Sequence, residues 1–515
     1  MNRGGLRVMP DHATDGARSL PVLFAGLAEN VPALSVSGLN SDSRKIRPGD
    51  LFLALRGHRT HGLVYLDRAL ASGAAAVAWE PAPGIVAPRC PVPQFSVENL
   101  SAHAGEVAAR FYAHPSRALW CAAVTGTDGK TSTAHLTAQA FERLGEPCVY
   151  SGTLGYGRLG ELREATHTTP DAVTLQAQLA GSRDAGARVC AMEVSSHALD
   201  QHRVDGVAFR VAVLTNVGRD HLDYHGSQDA YAAAKRRLFD WPTLSAAILN
   251  RDDAYGSRWA QALASAPSRG GRVVQYGLDG TPPRHGVFLI GRALKLHVAG
   301  LELELDGSWG KARLESRLLG RFNAYNLLAA CAVLLERGYA LAPAVAALAQ
   351  AGTVPGRIEG FRGPRAAPLV VVDYAHTPQA LAAVLEAVRA HCAGALVCVF
   401  GCGGDRDRGK RPLMGAVAAA GADRVIVTDD NPRSELPENI VAEILAGIPA
   451  DGRAAVRVIH DRARAIRTAL EEAGAADVVL VAGKGHEDYQ IYGTERRPFS
   501  DREFVAELVG AEPRA

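Results

Sequence analysis

The sequence predicts an α/β protein of three domains: a small N-terminal α/β domain, a central P-loop ATPase-like parallel sheet with an added antiparallel ribbon, and a C-terminal Rossmann-like domain. Three observations predict it. The chain has 515 residues, which at roughly 150 residues per domain allows about three. Between residues 119 and 144 an apolar run, a glycine loop and a helical stretch succeed one another, as at the start of a nucleotide-binding α/β unit. From residue 368 onward apolar runs alternate with Ala-rich helical stretches, the pattern of a parallel sheet. The boundaries expected from this texture are 1–115, 116–353 and 354–515.

Composition narrows the class. Lys and Arg total 56 against 54 Asp and Glu, a formal net charge of +2. Non-specific nucleic-acid binding needs a strong positive field, so a nucleic-acid partner is not expected. A hydrophobic fraction of 47% and a charged fraction of 21% are ordinary for a globular chain. Eight cysteines stand at 90, 121, 148, 190, 331, 392, 398 and 402, none in a Cys-x-x-Cys pair and most inside apolar runs. They read as buried thiols in a reducing compartment, not as a disulfide frame or a zinc site. No run approaches the ~18 apolar residues of a membrane span. Residues 1–18 lack the apolar core of a signal peptide. The expectation is a cytoplasmic protein without a membrane span, and a monomer.

Element by element, residues 1 to about 20 are polar and glycine-rich and read as a loose tail. Apolar runs at 51–55 and 74–79 belong to the small first domain, which closes near His114-Pro115-Ser116 because a residue before proline disfavours helix. A buried strand at 119–124 leads through the glycine loop into a helix over 134–144, and further strands are expected at 188–194, 211–216 and 246–250. The alternation Leu301-Glu302-Leu303-Glu304-Leu305 predicts a half-exposed antiparallel ribbon within about 280–320. Helices over 326–337 and 343–351 follow, then a linker at Val354-Pro355-Gly356-Arg357. Strands at 369–372, 396–400, 424–428 and 478–481 make the last domain.

The chemistry concentrates after strand ends. Gly126-Thr127-Asp128-Gly129-Lys130-Thr131-Ser132 matches the second half of a Walker A loop, although Val124 stands where its first glycine would fall. Such glycines let backbone N–H groups approach phosphates, a lysine supplies charge, and a threonine hydroxyl can ligate Mg²⁺. An ATP-binding loop is therefore expected. Glu193 ends one strand and His221 follows another, where ligands of α/β sheets collect, so both are candidate Mg²⁺ ligands. The spacing of His221 and His225 also leaves a zinc hydrolase to consider. Lys235, in an apparent helix, reads from spacing alone as a surface lysine. Gly401-Cys402-Gly403-Gly404-Asp405-Arg406 departs from the Gly-x-Gly-x-x-Gly of dinucleotide folds, which leaves NAD weakly supported. Arg406 and Arg433 follow separate strands of one sheet and suit bidentate capture of carboxylates, while Glu487 could face an ammonium group.

Taken together, these stretches resemble the Mur ligase family over nearly the whole chain, from Ser41-Asp42-Ser43-Arg44 and Pro48-Gly49-Asp50-Leu51-Phe52 to residues 483–490. The phosphate loop is shared with folylpolyglutamate-type ligases. Glu193-Val194-Ser195-Ser196-His197, Asp220-His221-Leu222-Asp223-Tyr224-His225-Gly226 and Gly483-Lys484-Gly485-His486-Glu487 are more specific.

The resemblance implies an ATP- and Mg²⁺-dependent ligase of cell-wall synthesis, on which cell shape and division depend. It would join a diamino acid, meso-diaminopimelate first, to UDP-N-acetylmuramoyl-L-Ala-D-Glu through an acyl phosphate. By the same resemblance Ser41, Ser43, His58, Arg59 and Thr60 would hold the UDP group. Thr168, Thr169, Ser195, Gln201 and Arg203 would contact the muramoyl dipeptide. Lys130 and Thr131 would handle the triphosphate, with Thr131, Glu193 and His221 on Mg²⁺. Lys235 matches a lysine that the family carbamylates, which turns a cation into a metal-binding carboxylate and displaces its surface reading. Asn323, Asn326, Arg357 and Asp373 would serve the nucleotide. Arg406, Asp430, Asn431, Pro432, Arg433, Gly483 and Glu487 would form the diamino-acid pocket.

L-Lysine and L-ornithine lack the carboxylate that Arg433 would bind, and they remain the alternative substrates. A D-alanyl-D-alanine-adding or folylpolyglutamate-type ligase, and a nucleotide-binding module without catalysis, are the other readings. The sequence departs from the family at Asp128, which places a negative charge beside the phosphates, and at His61, before Gly62.

Overall fold

The structure is a computed structural model that describes residues 16–57, 60–165, 167–265, 271–283, 286–363, 367–450 and 455–510. It divides into two compact units, the first comprising 1–277, 282–289 and 329–339, the second 278–281, 290–328 and 340–515. Among the described residues no helix is long and apolar enough to cross a membrane.

The first unit opens with a four-stranded parallel sheet in chain order: Gly38–Asn40, Asp50–Ala54, Ala76–Trp79 and Gln94–Ser96. Asp50–Ala54 is buried throughout because both faces are covered. Leu51 and Leu53 pack with Leu100, Val107 and Phe111 of the helix Leu100–Phe111, whereas Phe52 and Ala54 meet Val77 and Trp79 on the other face. The expected loose tail ends sooner than residue 20. Arg18–Ser19 pairs with Ser35–Val36, and Leu20, Leu23 and Phe24 are buried, since their i, i+3, i+4 spacing makes one apolar stripe. Residues 1–15 lie outside the described residues. Near Pro115, His114 has φ +48°, and Pro115 opens the short helix Pro115–Ala118 at N1, where its missing N–H costs nothing.

The larger sheet of this unit runs Arg272–Leu278, Ala246–Asn250, Phe209–Leu214, Trp120–Thr125, Val189–Glu193, Cys148–Gly152, Gly155–Gly157, parallel except for the last pair. Cys121, Ala123, Met192, Leu214, Tyr231 and Phe239 meet in its core. Trp120–Thr125 sits inside this order, and its carboxyl end feeds the glycine loop. The helix after the loop, Lys130–Arg143, starts four residues before the apolar pattern suggested, because Gly129 in the left-handed region serves as its N-cap. All eight cysteines are free and six are buried, Cys90 and Cys392 being only partly covered.

In the second unit Gly300–Gly307 and Gly310–Ser316 pair antiparallel, with Leu301, Leu303, Leu305 and Leu314 buried between exposed charges. That is the alternating ribbon. The helix Arg321–Arg337 begins five residues earlier than its apolar run, and Asn323 Nδ2 in its first turn donates to the Leu319 carbonyl at 2.8 Å. The C-terminal sheet has the order Glu359–Arg362, Leu369–Asp373, Val478–Ala482, Leu396–Phe400, Arg424–Val427, Val456–Val458. Its first pair is antiparallel and the rest parallel. Helices cover both faces, so the strands read as unbroken apolar runs.

Candidate active site

In the first unit the phosphate loop is clamped from behind. A Cβ on Gly126, whose φ is +150°, would collide with Thr215 Oγ1, so only glycine fits. Asn216 fixes the loop, its carbonyl accepting from Thr127 N at 3.0 Å and its amide exchanging two bonds with the Asp128 backbone. Sequence spacing does not single out Asn216. The Asp128 side chain itself is exposed. Lys130 Nζ donates to the Gly126 and Thr127 carbonyls at 3.0 and 2.8 Å, and burial pushes its ammonium below the ordinary lysine range. Ser132 lies in the first turn of the helix.

Thr131 Oγ1 donates to Glu193 Oε2 at 2.8 Å. Glu193 is fully buried and also accepts from Thr153 N at 2.8 Å and from the Tyr150 hydroxyl. Tyr150 is a residue that the sequence reading missed, and nothing in a lone tyrosine inside an apolar strand announces it. Around the same strand end, Thr169 Oγ1 donates to the Glu193 carbonyl at 2.9 Å, and Ser195 caps the next helix. Arg203 reaches the Thr169 carbonyl at 3.0 Å and Gln201, and Thr168 Oγ1 lies 3.1 Å from Thr153 Oγ1. The five residues expected to hold the dipeptide are thus gathered beside Glu193.

Lys235 corrects its surface reading: it is 1% exposed. The helix Gln228–Arg236 is amphipathic, and Lys235 falls on the inward face with Tyr231 and Ala232. Its Nζ donates to the Gly126 carbonyl at 2.7 Å, the same oxygen that Lys130 uses, and lies 4.4 Å from the Tyr231 ring centre. Burial first, and then the Lys130 charge, push the Lys235 ammonium down to about 6. His221, with φ +52°, sets its ring edge-to-face with His197 and Tyr231, the ring centres 4.7 and 6.1 Å apart. Among the described residues there is no cluster of three or more His, Cys, Asp or Glu side chains able to hold a metal.

In the N-terminal sheet Ser41 and Ser43 follow Gly38–Asn40, and Thr60 follows Asp50–Ala54, the carboxyl ends of neighbouring parallel strands. His58 and Arg59 lie outside the described residues. His61 is accommodated as an N-cap: its Nδ1 accepts from Leu63 N at 3.1 Å and its Nε2 lies 2.8 Å from the Glu80 carbonyl.

The second unit holds two groups of candidates. Asn326 Nδ2 donates to Asn323 Oδ1 at 2.9 Å. Asp373 accepts from Ile358 N and Ala375 N, its carboxyl nonetheless raised by burial, and Arg357 lies 5.3 Å over the Tyr374 ring. The arginines meet at a glycine: a Cβ on Gly403 would stand 2.9 Å from Arg433 Nη1 and 3.6 Å from Arg406 Cγ. Gly404 packs directly on the Pro432 carbonyl, and Arg433 Nη1 donates to the Gly404 carbonyl at 2.8 Å. Asn431 Nδ2 donates to Glu487 Oε2 at 3.0 Å. Gly483 lies against Asp430, whose carboxyl is buried. Lys484, which the sequence reading quoted without a role, is buried among Asp430, Asn431 and Glu487.

Three family models match in succession: the Mur ligase family catalytic domain over 35–112, the Mur ligase middle domain over 124–334, and the Mur ligase glutamate ligase domain over 356–485. A UDP-N-acetylmuramoyl-L-alanyl-D-glutamate–2,6-diaminopimelate ligase of Alkalilimnicola ehrlichii is 53% identical over 486 residues, covering 93% of this chain and 95% of the relative. The protein of the same name from Pseudomonas aeruginosa is 49% identical over 478 residues, with 93% and 96% covered. A solved structure of a UDP-N-acetylmuramoyl-L-alanyl-D-glutamate–2,6-diaminopimelate ligase superposes with a TM-score of 0.78 at 36% identity, over 97% of this chain and 100% of the other. On a clamped phosphate loop, a buried glutamate beside it and relatives that match almost end to end, the chain belongs to the Mur ligase family of ATP-dependent amide ligases.

Proposed function

We propose that the chain joins meso-diaminopimelate to UDP-N-acetylmuramoyl-L-Ala-D-Glu with ATP, in peptidoglycan synthesis in the cytoplasm. The observation that carries the choice of amino acid is the pair Arg406 and Arg433 around Gly403, in the unit that also holds Glu487. Two guanidiniums suit a distal carboxylate and a glutamate suits the ammonium beside it, which are the groups diaminopimelate carries at that end. Lysine and ornithine would leave the arginines unpaired.

The acceptor carboxylate attacks the γ-phosphorus of ATP. An O–P bond forms, the bond to ADP breaks, and an acyl phosphate results. The amine then attacks the acyl carbon, a C–N bond forms, phosphate leaves, and the amine loses a proton. Lys130 neutralises charge on the phosphates, and Thr168, Thr169, Ser195, Gln201 and Arg203 hold the dipeptide still. Ser41, Ser43 and Thr60, with His58 and Arg59, hold the UDP group. Asn323, Asn326, Arg357 and Asp373 serve the nucleotide. Most of the rate would come from positioning and charge neutralisation.

Mg²⁺ fits the donors present, because Glu193 Oε2 and Thr131 Oγ1 are hard oxygens at the phosphate loop and would hold it, as His221 would by the family resemblance. When bound, it would neutralise phosphate charge. Lys235 supports a carbamate: an amine titrating near 6 is largely neutral at pH 7 and can attack carbon dioxide, forming an N–C bond and releasing a proton. The domain boundaries 1–115, 116–353 and 354–515 remain part of this reading.

ATP-dependent phosphate release with UDP-N-acetylmuramoyl-L-Ala-D-Glu, offering meso-diaminopimelate, L-lysine and L-ornithine separately, tests it. Release with diaminopimelate alone is expected. Release with lysine or ornithine instead would keep the ligase and overturn the amino-acid choice.

A further inference from the structure

The charge of the diamino-acid pocket is set by a residue that the proposed ligand set leaves out. Lys484 is fully buried, and its Nζ lies 3.1 Å from Glu487 Oε2, 3.4 Å from Asn431 Oδ1 and 3.8 Å from Asp430 Oδ1. Burial without a counter-charge disfavours an ammonium. Here two carboxylates and an amide oxygen surround it. Asn431 Nδ2 also donates to Glu487 Oε2, so both bonds fall on one carboxylate oxygen. Burial pushes the Asp430 carboxyl up, and Arg462 and Lys484 pull it back toward its charged form.

We infer that Lys484 is a positioning and specificity-determining residue, an internal counter-ion that reduces the Asp430–Glu487 pair to a net single negative charge and aims Glu487 at the substrate. The inference rests on the diamino-acid reading. A pocket with one net negative charge beside two arginines matches a distal centre that carries both an ammonium and a carboxylate. The same pocket without Lys484 loses the one cation that lies beside both Asp430 and Glu487, and becomes more negative by one charge. It then repels the distal carboxylate of diaminopimelate and attracts the lone ammonium of lysine, so discrimination falls by like-charge repulsion against the right substrate.

The test compares Lys484→Met, Lys484→Gln and Lys484→Arg with the wild-type enzyme, measuring kcat and KM for meso-diaminopimelate and L-lysine at saturating ATP and UDP-substrate. For Lys484→Met the expected result is a rise of about 10-fold or more in KM for diaminopimelate. The kcat/KM ratio of diaminopimelate over lysine should fall by a similar factor, with KM for ATP unchanged. Lys484→Gln, which keeps a donor for Glu487 without the charge, should show the same fall in the ratio and stands in if Lys484→Met does not fold. Lys484→Arg, which keeps the charge, should hold the ratio near wild type. Equal losses for both amino acids, with the ratio unchanged, would mean a merely structural lysine and would overturn the inference. A wild-type enzyme that releases phosphate with none of the diamino acids would overturn the diamino-acid reading and this inference with it.

Discussion

A lysine walled off from water has to give up its proton or find a counter-ion, and Lys235 sits against a carbonyl, an aromatic face and another lysine. Burial by the fold, and then the Lys130 charge, push its ammonium down to about 6. Gly126 must have no side chain to let the loop pass Thr215, and the carbonyl thereby exposed is the one that both lysines share. Lys235→Ala should lower kcat by about 100-fold or more, the usual size of loss when charge stabilisation at a reacting phosphate is removed. Carbon-labelled bicarbonate should give the wild-type enzyme a carbamate signal that the variant lacks. Wild-type turnover in the variant would dismiss the carbamate. Spacing alone read this residue as a surface lysine, until the family resemblance displaced that reading, because helical spacing places Lys235 without saying which face of Gln228–Arg236 is covered. Glu193 was legible, as the last residue of an apolar strand; its partner Tyr150 was not, since a tyrosine in such a run is ordinary core.

At the scale of elements, strands were easier to find than helix starts. Strands buried on both faces announce themselves as apolar runs, but Lys130–Arg143 begins with polar residues behind a glycine N-cap and Arg321–Arg337 with a mixed first turn, so neither start shows in the apolar pattern. The phosphate-loop helix carries a further consequence. His135 is nearly buried within it, Gln139 Nε2 stands 2.9 Å from its Nδ1, and burial pushes its imidazole down to about 4. Below the ordinary histidine value of about 6.5 the unfolded chain takes up a proton that the folded chain refuses. Stability is therefore lost as pH falls from about 6.5 toward 4 and levels off below that, a total of roughly 3 kcal/mol at 1.36 kcal/mol per pH unit. Urea unfolding of the wild type and His135→Gln across this window should show the steeper decline in the wild type. Parallel curves would mean that His135 is protonated in the fold.

On the scale of the whole molecule, the residues expected at the substrates divide between the two units. The residues expected at the UDP group and the dipeptide, with Lys130 and Lys235, fall in the unit that contains 1–277, and every diamino-acid candidate falls in the unit that contains 340–515. The first unit also joins the N-terminal sheet to the phosphate-loop sheet through tight packing, a Cβ on Gly105 having no room beside the Asp205 carbonyl. A texture reading could mark a boundary near Pro115 but could not see that packing, because contacts between distant segments leave no periodicity in either. Hydrogen exchange separates the assignments. Adding UDP-N-acetylmuramoyl-L-Ala-D-Glu should slow exchange in 41–45 and 195–203, and adding meso-diaminopimelate to that complex should newly slow 403–406, 430–433 and 483–487. Backbone amides there already donate within the folded loops, as Gly404 N does to Asn431 and Glu487 N to Lys484, so a bound ligand slows their opening by mass action rather than by making new bonds. Protection by diaminopimelate confined to 126–131, with these three loops unchanged, would move the amino-acid site out of the second unit and remove the Arg406 and Arg433 pair from recognition.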